Sequence, residues 1–528
     1  MMAPHKSGST SQEASETTPL LAVGEISTVA DAASACAIAK IAGETGQKPA
    51  SDTDHGPADS ARNDLEGDTN VDHDEDMPKA QVFWLCVARL IEPIAFFSIF
   101  PYINEFVRRS GDVPVAQVGF YSGLIESNFS LVQAIVMVFW ARLSDRIGRK
   151  PVLMASMVGV TVSTSMFGFA QTIPQMIMLR MLAGVFSGTL VTIRTCLAEL
   201  STPGTRARIF SWFAFSGNLG IFLGPLIGGI LADPVGQYGG LFERIPLFSQ
   251  YPYALPSLTV GATSAVSTIV CMFKVKETKG AGKGASSSSA QSAADKSMPI
   301  RELLREPGVL IVQYVGAHLA LLAFAYTTIC PLWWWTTVDL GGLSFNSFQM
   351  SLLMALNGVA QALWLIFGFP PLHRRLGTNG VMRLCGTVYP LFFAISPGAN
   401  YLLRAGYTNL FWSLYPPALA IGCGVAMSFT ACQLSVNEVN PGPTALATIN
   451  ALQMMISSIV RAFTPAAANS LFAIGAETQF LNGYAIWLLM SLLAAGFGIA
   501  TRFLPDYEAL RLQRLKREAE AGRVDVPS

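Results

Sequence analysis

Charge is what this 528-residue chain has least of: Lys, Arg, Asp and Glu together make up 13% of it, against 51% apolar residues. A soluble protein carries about twice that charged fraction, so an ordinary water-soluble globular domain is excluded. Histidine is scarcer still, with five scattered copies, of which only His318 falls in an apolar run. The eight cysteines form no Cys-x-x-Cys pair, and seven of them (Cys86, Cys196, Cys271, Cys330, Cys385, Cys423 and Cys432) sit within apolar stretches. They read as small apolar packing residues, and neither a metal site nor a disulfide framework is expected. No nucleophile–base pair stands near a membrane face, so the expectation is not an enzyme, and no cofactor or nucleic-acid partner is expected. The formal net charge of zero is uninformative; its distribution is not.

What is present is a series of unbroken apolar runs about 20 residues long, the length that crosses a hydrocarbon core of about 30 Å as a helix. In lipid every backbone group must be satisfied within the structure, and runs without alternation choose helices over a barrel. Twelve spans are predicted, at 82–104, 117–140, 151–171, 175–197, 208–231, 254–274, 308–332, 347–369, 380–398, 408–432, 445–473 and 482–504. The fold class is therefore all-α: a polytopic membrane protein with twelve transmembrane helices in two pseudo-symmetric six-helix halves. Residues 80–274 form the first bundle and 307–505 the second, joined by a flexible linker, 275–306, that contains Gly280-Ala-Gly-Lys-Gly-Ala-Ser-Ser-Ser-Ser289. Residues 1–79, rich in Ser, Thr, Ala, Asp and Glu, bury too little apolar surface to order themselves. They lack the pattern of a cleaved signal peptide. Residues 506–528 form a charged tail.

Positive residues near span ends set orientation. Arg142, Arg146, Arg149, Lys150, Arg206, Arg208, Arg374, Arg375 and Arg383 share one side with the lysines of the linker, against Arg108, Arg109, Arg244 and Arg404 on the other. Both termini are thus predicted to be cytoplasmic. Glu16-Thr-Thr-Pro-Leu-Leu21 has the form of an acidic dileucine signal read by a sorting adaptor; such a partner favours a vacuolar or endosomal membrane, and without it the plasma membrane is preferred. A weak internal repeat supports the two halves. Arg146-Ile-Gly148 recurs as Arg375-Leu-Gly377, and Gly224-Pro225 has its counterpart in Thr464-Pro465.

The loop Ala141-Arg-Leu-Ser-Asp-Arg-Ile-Gly-Arg-Lys-Pro151 resembles the signature loop of the major facilitator superfamily. The resemblance implies a conformational latch formed by Asp145, Arg146, Gly148, Arg149 and Lys150. Glycine permits the tight turn, and the charges pair with acidic groups or helix ends. The second copy has Arg374 where Asp145 stands, which implies a degenerate latch there. Arg180-Met-Leu-Ala-Gly184-Val-Phe-Ser-Gly188 is similar to the family's Arg-x-x-x-Gly helix, and Gly220, Gly224, Pro225 and Gly228 in span five resemble the family's antiporter motif. A packing kink needs the same small residues and proline, so export is implied by the resemblance and not by the spacing. Further stretches, Arg89 to Tyr102, Phe369 to Gly377 and Ala447 to Phe472, resemble the twelve-span drug:proton antiporters, in particular fungal carriers near the zinc-induced-facilitator-like and tetracycline-exporter-like transporters.

Ionisable residues inside spans are functional candidates because burial makes a lone charge costly. Glu126 has no charged neighbour in its own span and is a candidate proton carrier. Glu92 is either a second carrier or the partner of Arg89, three residues away on the same helical face. Arg180 either couples energy or snorkels, and Arg461 needs a partner or an anionic ligand. Asn218, Asn357, Gln361, Asn450 and Gln453, with Arg461, either line a substrate cavity or hydrogen-bond between helices. Trp333-Trp-Trp335 is placed in an interfacial aromatic belt. The sequence thus points to a secondary active transporter that exports a small organic compound in exchange for protons. A secondary metabolite, glycolipid or drug leads, with an organic-acid or metal-chelate carrier, or a non-transporting membrane sensor, as alternatives.

Overall fold

A computed structural model describes residues 78–201, 205–240, 242–278, 300–440, 443–510 and 512–513. The dileucine pattern, the Gly/Ser run of the linker and all but the start of the carboxyl tail lie outside these residues. Every regular element described is helical. Among the described residues ten helices are long and apolar enough to cross a membrane, and one of them runs for 58 residues, Ser347–Arg404. At 1.5 Å per residue that is nearly three times the hydrocarbon thickness. It divides at Gly377, whose φ of 68° and ψ of 178° break the helix. With Arg149–Phe167 added, the spans number twelve: α1 (Lys79–Phe97), α2 (Val115–Ile147), α3 (Arg149–Phe167), α4 (Ile173–Leu200), α5 (Arg206–Leu231), α6 (Ala254–Lys274), α7 (Val309–Trp335), α8 (347–376), α9 (378–404), α10 (Thr408–Glu438), α11 (Pro443–Thr478) and α12 (Ala485–Ala500).

Span boundaries differ from expectation in one informative place. Span one was expected to reach residue 104, but α1 stops at Phe97 and a separate short helix, Ile103–Gly111, follows. Tyr415-Pro-Pro417 does not interrupt α10, because its helix continues through both prolines to Gly422. Beyond Trp364, α8 widens into a π-turn before Phe369-Pro-Pro371, a local accommodation that spares the helix a break.

Backbone close approach organises the bundle. Gly220, Gly224 and Gly228 repeat every four residues on one face of α5 and meet the carbonyls of Leu90, Ile94 and Ser98 along and just past α1. A Cβ on Gly220 would lie 2.6 Å from the Leu90 oxygen, and one on Gly228 would collide with Ser98. Gly229, on the neighbouring face, packs against Ser347 and Ser351 of α8 in the other half. The second inter-half seam pairs α2 with α11. Gly119 and Gly123 face the carbonyls of Asn469 and Pro465, and the Ala466 N–H donates to Ser127 Oγ at 3.0 Å. In the internal repeat α2 corresponds to α8 and α5 to α11, so the two seams are related by pseudo-symmetry.

Gly228→Val forces a side chain into the Ser98 carbonyl and should destabilise by about 1–3 kcal/mol, read as a lower melting temperature of the detergent-purified protein. Gly398→Ala, where nothing lies within 4 Å of the added Cβ, should leave it unchanged.

Candidate functional site

The buried charges of the first half gather near the α2–α11 seam. Glu126, on α2, is 3% exposed and its Oε2 has no hydrogen-bond partner. The charges acting on it come from Arg180 of α4 and Arg461 of α11, so the group spans both halves. Phe96 is shared by the two arginines: its ring centroid is 5.3 Å from the Arg180 guanidinium and 4.8 Å from that of Arg461. Arg180 also donates to the Phe96 carbonyl at 3.3 Å and stands over Phe129. It is 4% exposed, so it does not snorkel. The aromatic faces lower the cost of holding a cation away from water.

Glu92 is built differently. Its carboxylate lies 3.7 Å from Arg89 and accepts from Gln133 Nε2 at 3.3 Å, while Arg89 also stands over Phe213. Arg89, Glu92 and Arg461 line one small void, and Arg180 lines another.

A larger cavity of about 160 Å³, part of it open, lies mainly within the second half. Asn357 and Gln361 of α8 line it; Asn218, Asn450, Gln453 and Arg461 do not. Asn450 instead accepts from Gln433 at 3.2 Å, and Gln453 fills the space left by Gly316 on α7. The tryptophan run is not a lipid-facing belt: Trp333 and Trp334 are each 1% exposed. Trp333 donates to the Gly341 carbonyl at 2.8 Å, and Trp334 lines the cavity while donating to Tyr415 at 2.8 Å. The wide span-end position suits a membrane interface, but packing of α10 and α12 over it buries the rings.

The loop joining α2 to α3 forms a clamp within the first half. Arg149 reaches Asp145 at 2.5 Å and Glu199, at the end of α4, at 2.8 Å. The Arg149 and Lys150 backbone N–H groups donate to Glu277, beyond α6, at 2.9 and 3.1 Å. A carboxylate thus sits on the exposed N–H groups at the start of α3, where the helix dipole favours it. Gly148, at φ 110°, lies so close to Glu277 that a Cβ would come within 2.7 Å of it. In the second half the same place holds a hydrogen bond from Thr378 to Glu438, 2.8 Å long. That copy joins the start of α9 to the end of α10 through a threonine hydroxyl where the first half uses the Arg149 guanidinium.

At the opposite end of the bundle, Glu105 accepts from Trp335 Nε1 of the second half at 3.1 Å and pairs with Arg108 and Arg109. Burial pushes its carboxyl up, but the bonds from the two arginines outweigh that and hold it below the usual carboxylate range. This bridge persists at neutral pH and is lost only as pH falls through that lowered value.

The Major Facilitator Superfamily description matches residues 85–465. The chain belongs to the major facilitator superfamily. It is 41% identical to the Aspergillus niger "Efflux pump azaK" over 440 residues, covering 83% of this chain and 91% of that one. The Arabidopsis thaliana "Protein ZINC INDUCED FACILITATOR 1" is 25% identical, with 80% and 90% covered. The solved structure of a D-xylose–proton symporter superposes with a TM-score of 0.60 at 12% identity, covering 81% of this chain and 98% of the symporter; that likeness shows the fold alone.

Sequence reasoning on this facilitator missed Gln133, Glu199, Glu277 and Glu105. Glu199 and Glu277 are span-end acids facing a basic loop, a signal present in the sequence. Gln133 carries no such mark, since it lies 41 residues from Glu92.

Two variants test these assignments. Glu92→Leu leaves Arg89 buried and stripped of a counter-charge, and should cost about 3 kcal/mol, seen as a large drop in melting temperature. Glu277→Ala removes the anion from the start of α3 and should cost about 1 kcal/mol, read in the same assay.

Proposed function

We propose that this facilitator is a proton-coupled exporter of a small organic compound, with Glu126 as the proton carrier and both termini in the cytoplasm, in the plasma membrane. The observation that carries the proposal is a buried carboxylate with an unpartnered oxygen beside a seam between the halves, acted on by an arginine from each. Ionised, Glu126 attracts Arg461 across the seam and favours one packing of α2 on α11. Protonation removes that attraction and shifts the balance toward another packing, the differential interaction that alternating access requires. A proton entering from outside and leaving inside drives the compound the other way. The 41% identity to a protein named as an efflux pump supports the outward direction. Glu92, held by Arg89 and Gln133, serves the structure, and the Arg149 clamp holds the cytoplasmic ends of α2, α3 and α4 as one body that rocks with the first half. Linker 275–306 then leaves that body through Glu277.

In proteoliposomes with an imposed pH gradient, Glu126→Gln should abolish proton-driven exchange while melting at the wild-type temperature. Wild-type exchange by this variant removes Glu126 from the mechanism.

A further inference from the structure

The large cavity of the second half has a chemistry of its own. Its described lining contains no Lys, Arg, His, Asp or Glu. Its walls are rings: Tyr326 lies 5.0 Å from Phe392 and 5.8 Å from Phe393, and Tyr389 lies 5.8 Å from Phe393, centroid to centroid. Trp334 completes the wall, its indole fixed by Tyr415. Edge and face contacts of this kind favour another aromatic system.

The polar groups are few and partly committed. Asn357 Oδ1 accepts from Gln361 Nε2 at 2.9 Å and from Cys423 Sγ at 2.6 Å, which uses both of its lone pairs. The Thr327 and Tyr389 hydroxyls are taken up by the Ala323 carbonyl and Ser428, and Tyr326 pairs with Cys330, which leaves the Asn357 amide N–H groups and the Gln361 carbonyl oxygen, a donor and an acceptor side by side. The cations that could anchor an acid, Arg180 and Arg461, line separate voids. Phe97 and Ile221 of the first half belong to both the cavity and the Arg461 void and so partition one from the other.

We propose that this cavity is the substrate site and that it selects uncharged aromatic compounds carrying a hydrogen-bond donor, to the exclusion of organic acids and cations. A charged ligand would lose its hydration without gaining a counter-charge. The inference rests on the transport reading only in calling the occupant a substrate.

The test is equilibrium binding of tritiated N-phenyl-1-naphthylamine to the full chain in nanodiscs, with empty nanodiscs as background and no proton gradient. Saturable binding of about one probe per protein is expected. The same skeleton bearing a sulfonate, 8-anilino-1-naphthalenesulfonate, and the planar cation ethidium should displace it at least about tenfold less well than the unlabelled neutral probe. Gln361→Leu, which removes the free acceptor, should weaken binding about three- to tenfold at an unchanged melting temperature. Absence of saturable binding, displacement by either charged probe as effective as by the neutral one, or wild-type affinity in a folded Gln361→Leu protein would each overturn the proposal. Because no gradient is imposed, a failure of proton-driven exchange alongside saturable neutral binding overturns only the transport reading.

Discussion

Close approach of helix backbones through glycine is the constraint on which the rest of this molecule depends. In lipid, apolar surface gives helices no reason to associate; packing and interhelical polar contacts must do it. The Gly220, Gly224 and Gly228 row brings α5 onto the α1 backbone; between the halves, the first seam sets Gly229 of α5 against α8 and the second sets Gly119 and Gly123 of α2 against α11. Without the second seam, Arg461 would not stand over Phe96, and Glu126 would lose its charged neighbour from the other half. Without the first, Pro225 and Ile221 would not close the cavity against α7 and α8.

Those seams separate two chemistries. Buried charge is gathered around α1, α2 and α4, with Arg461 as the contribution from α11, while the cavity of the second half is lined by rings and two amides. In the proposed exchange the proton and the compound therefore do not compete for the same atoms. They communicate through the shared partition of Phe97 and Ile221, and through the packing of α2 against α11, which the charge on Glu126 biases. The asymmetry continues at the helix ends: an ion-paired clamp around Arg149 in one half is matched by the Thr378–Glu438 hydrogen bond in the other.

The fold was legible because hydrophobic length is a local property. Twelve spans could be counted from runs of apolar residues, and Gly377 separates α8 from α9 through the same loop sequence that marks the first half. The Arg149 loop carried the family. Individual sites were legible only in kind. Glu126 and Glu92 looked alike as carboxylates within spans, and Arg89, three residues from Glu92, was the one hint of their difference. Gln133, from another helix, donates a hydrogen bond to Glu92, beside its pairing with Arg89. Asn450 and Gln453 looked as suitable for a cavity as Asn357 and Gln361, yet they turn toward Gln433 and Gly316.

The sequence by itself therefore determined the number of spans, the two-half architecture and the family, because apolar run length, charge placement and a contiguous motif are all read along one strand of chain. Only the tertiary structure decided which polar groups meet. Interhelical contact pairs residues tens to hundreds of positions apart, and a helix face fixed by glycine packing, rather than residue type, determines whether a side chain reaches the cavity, the seam or its own bundle.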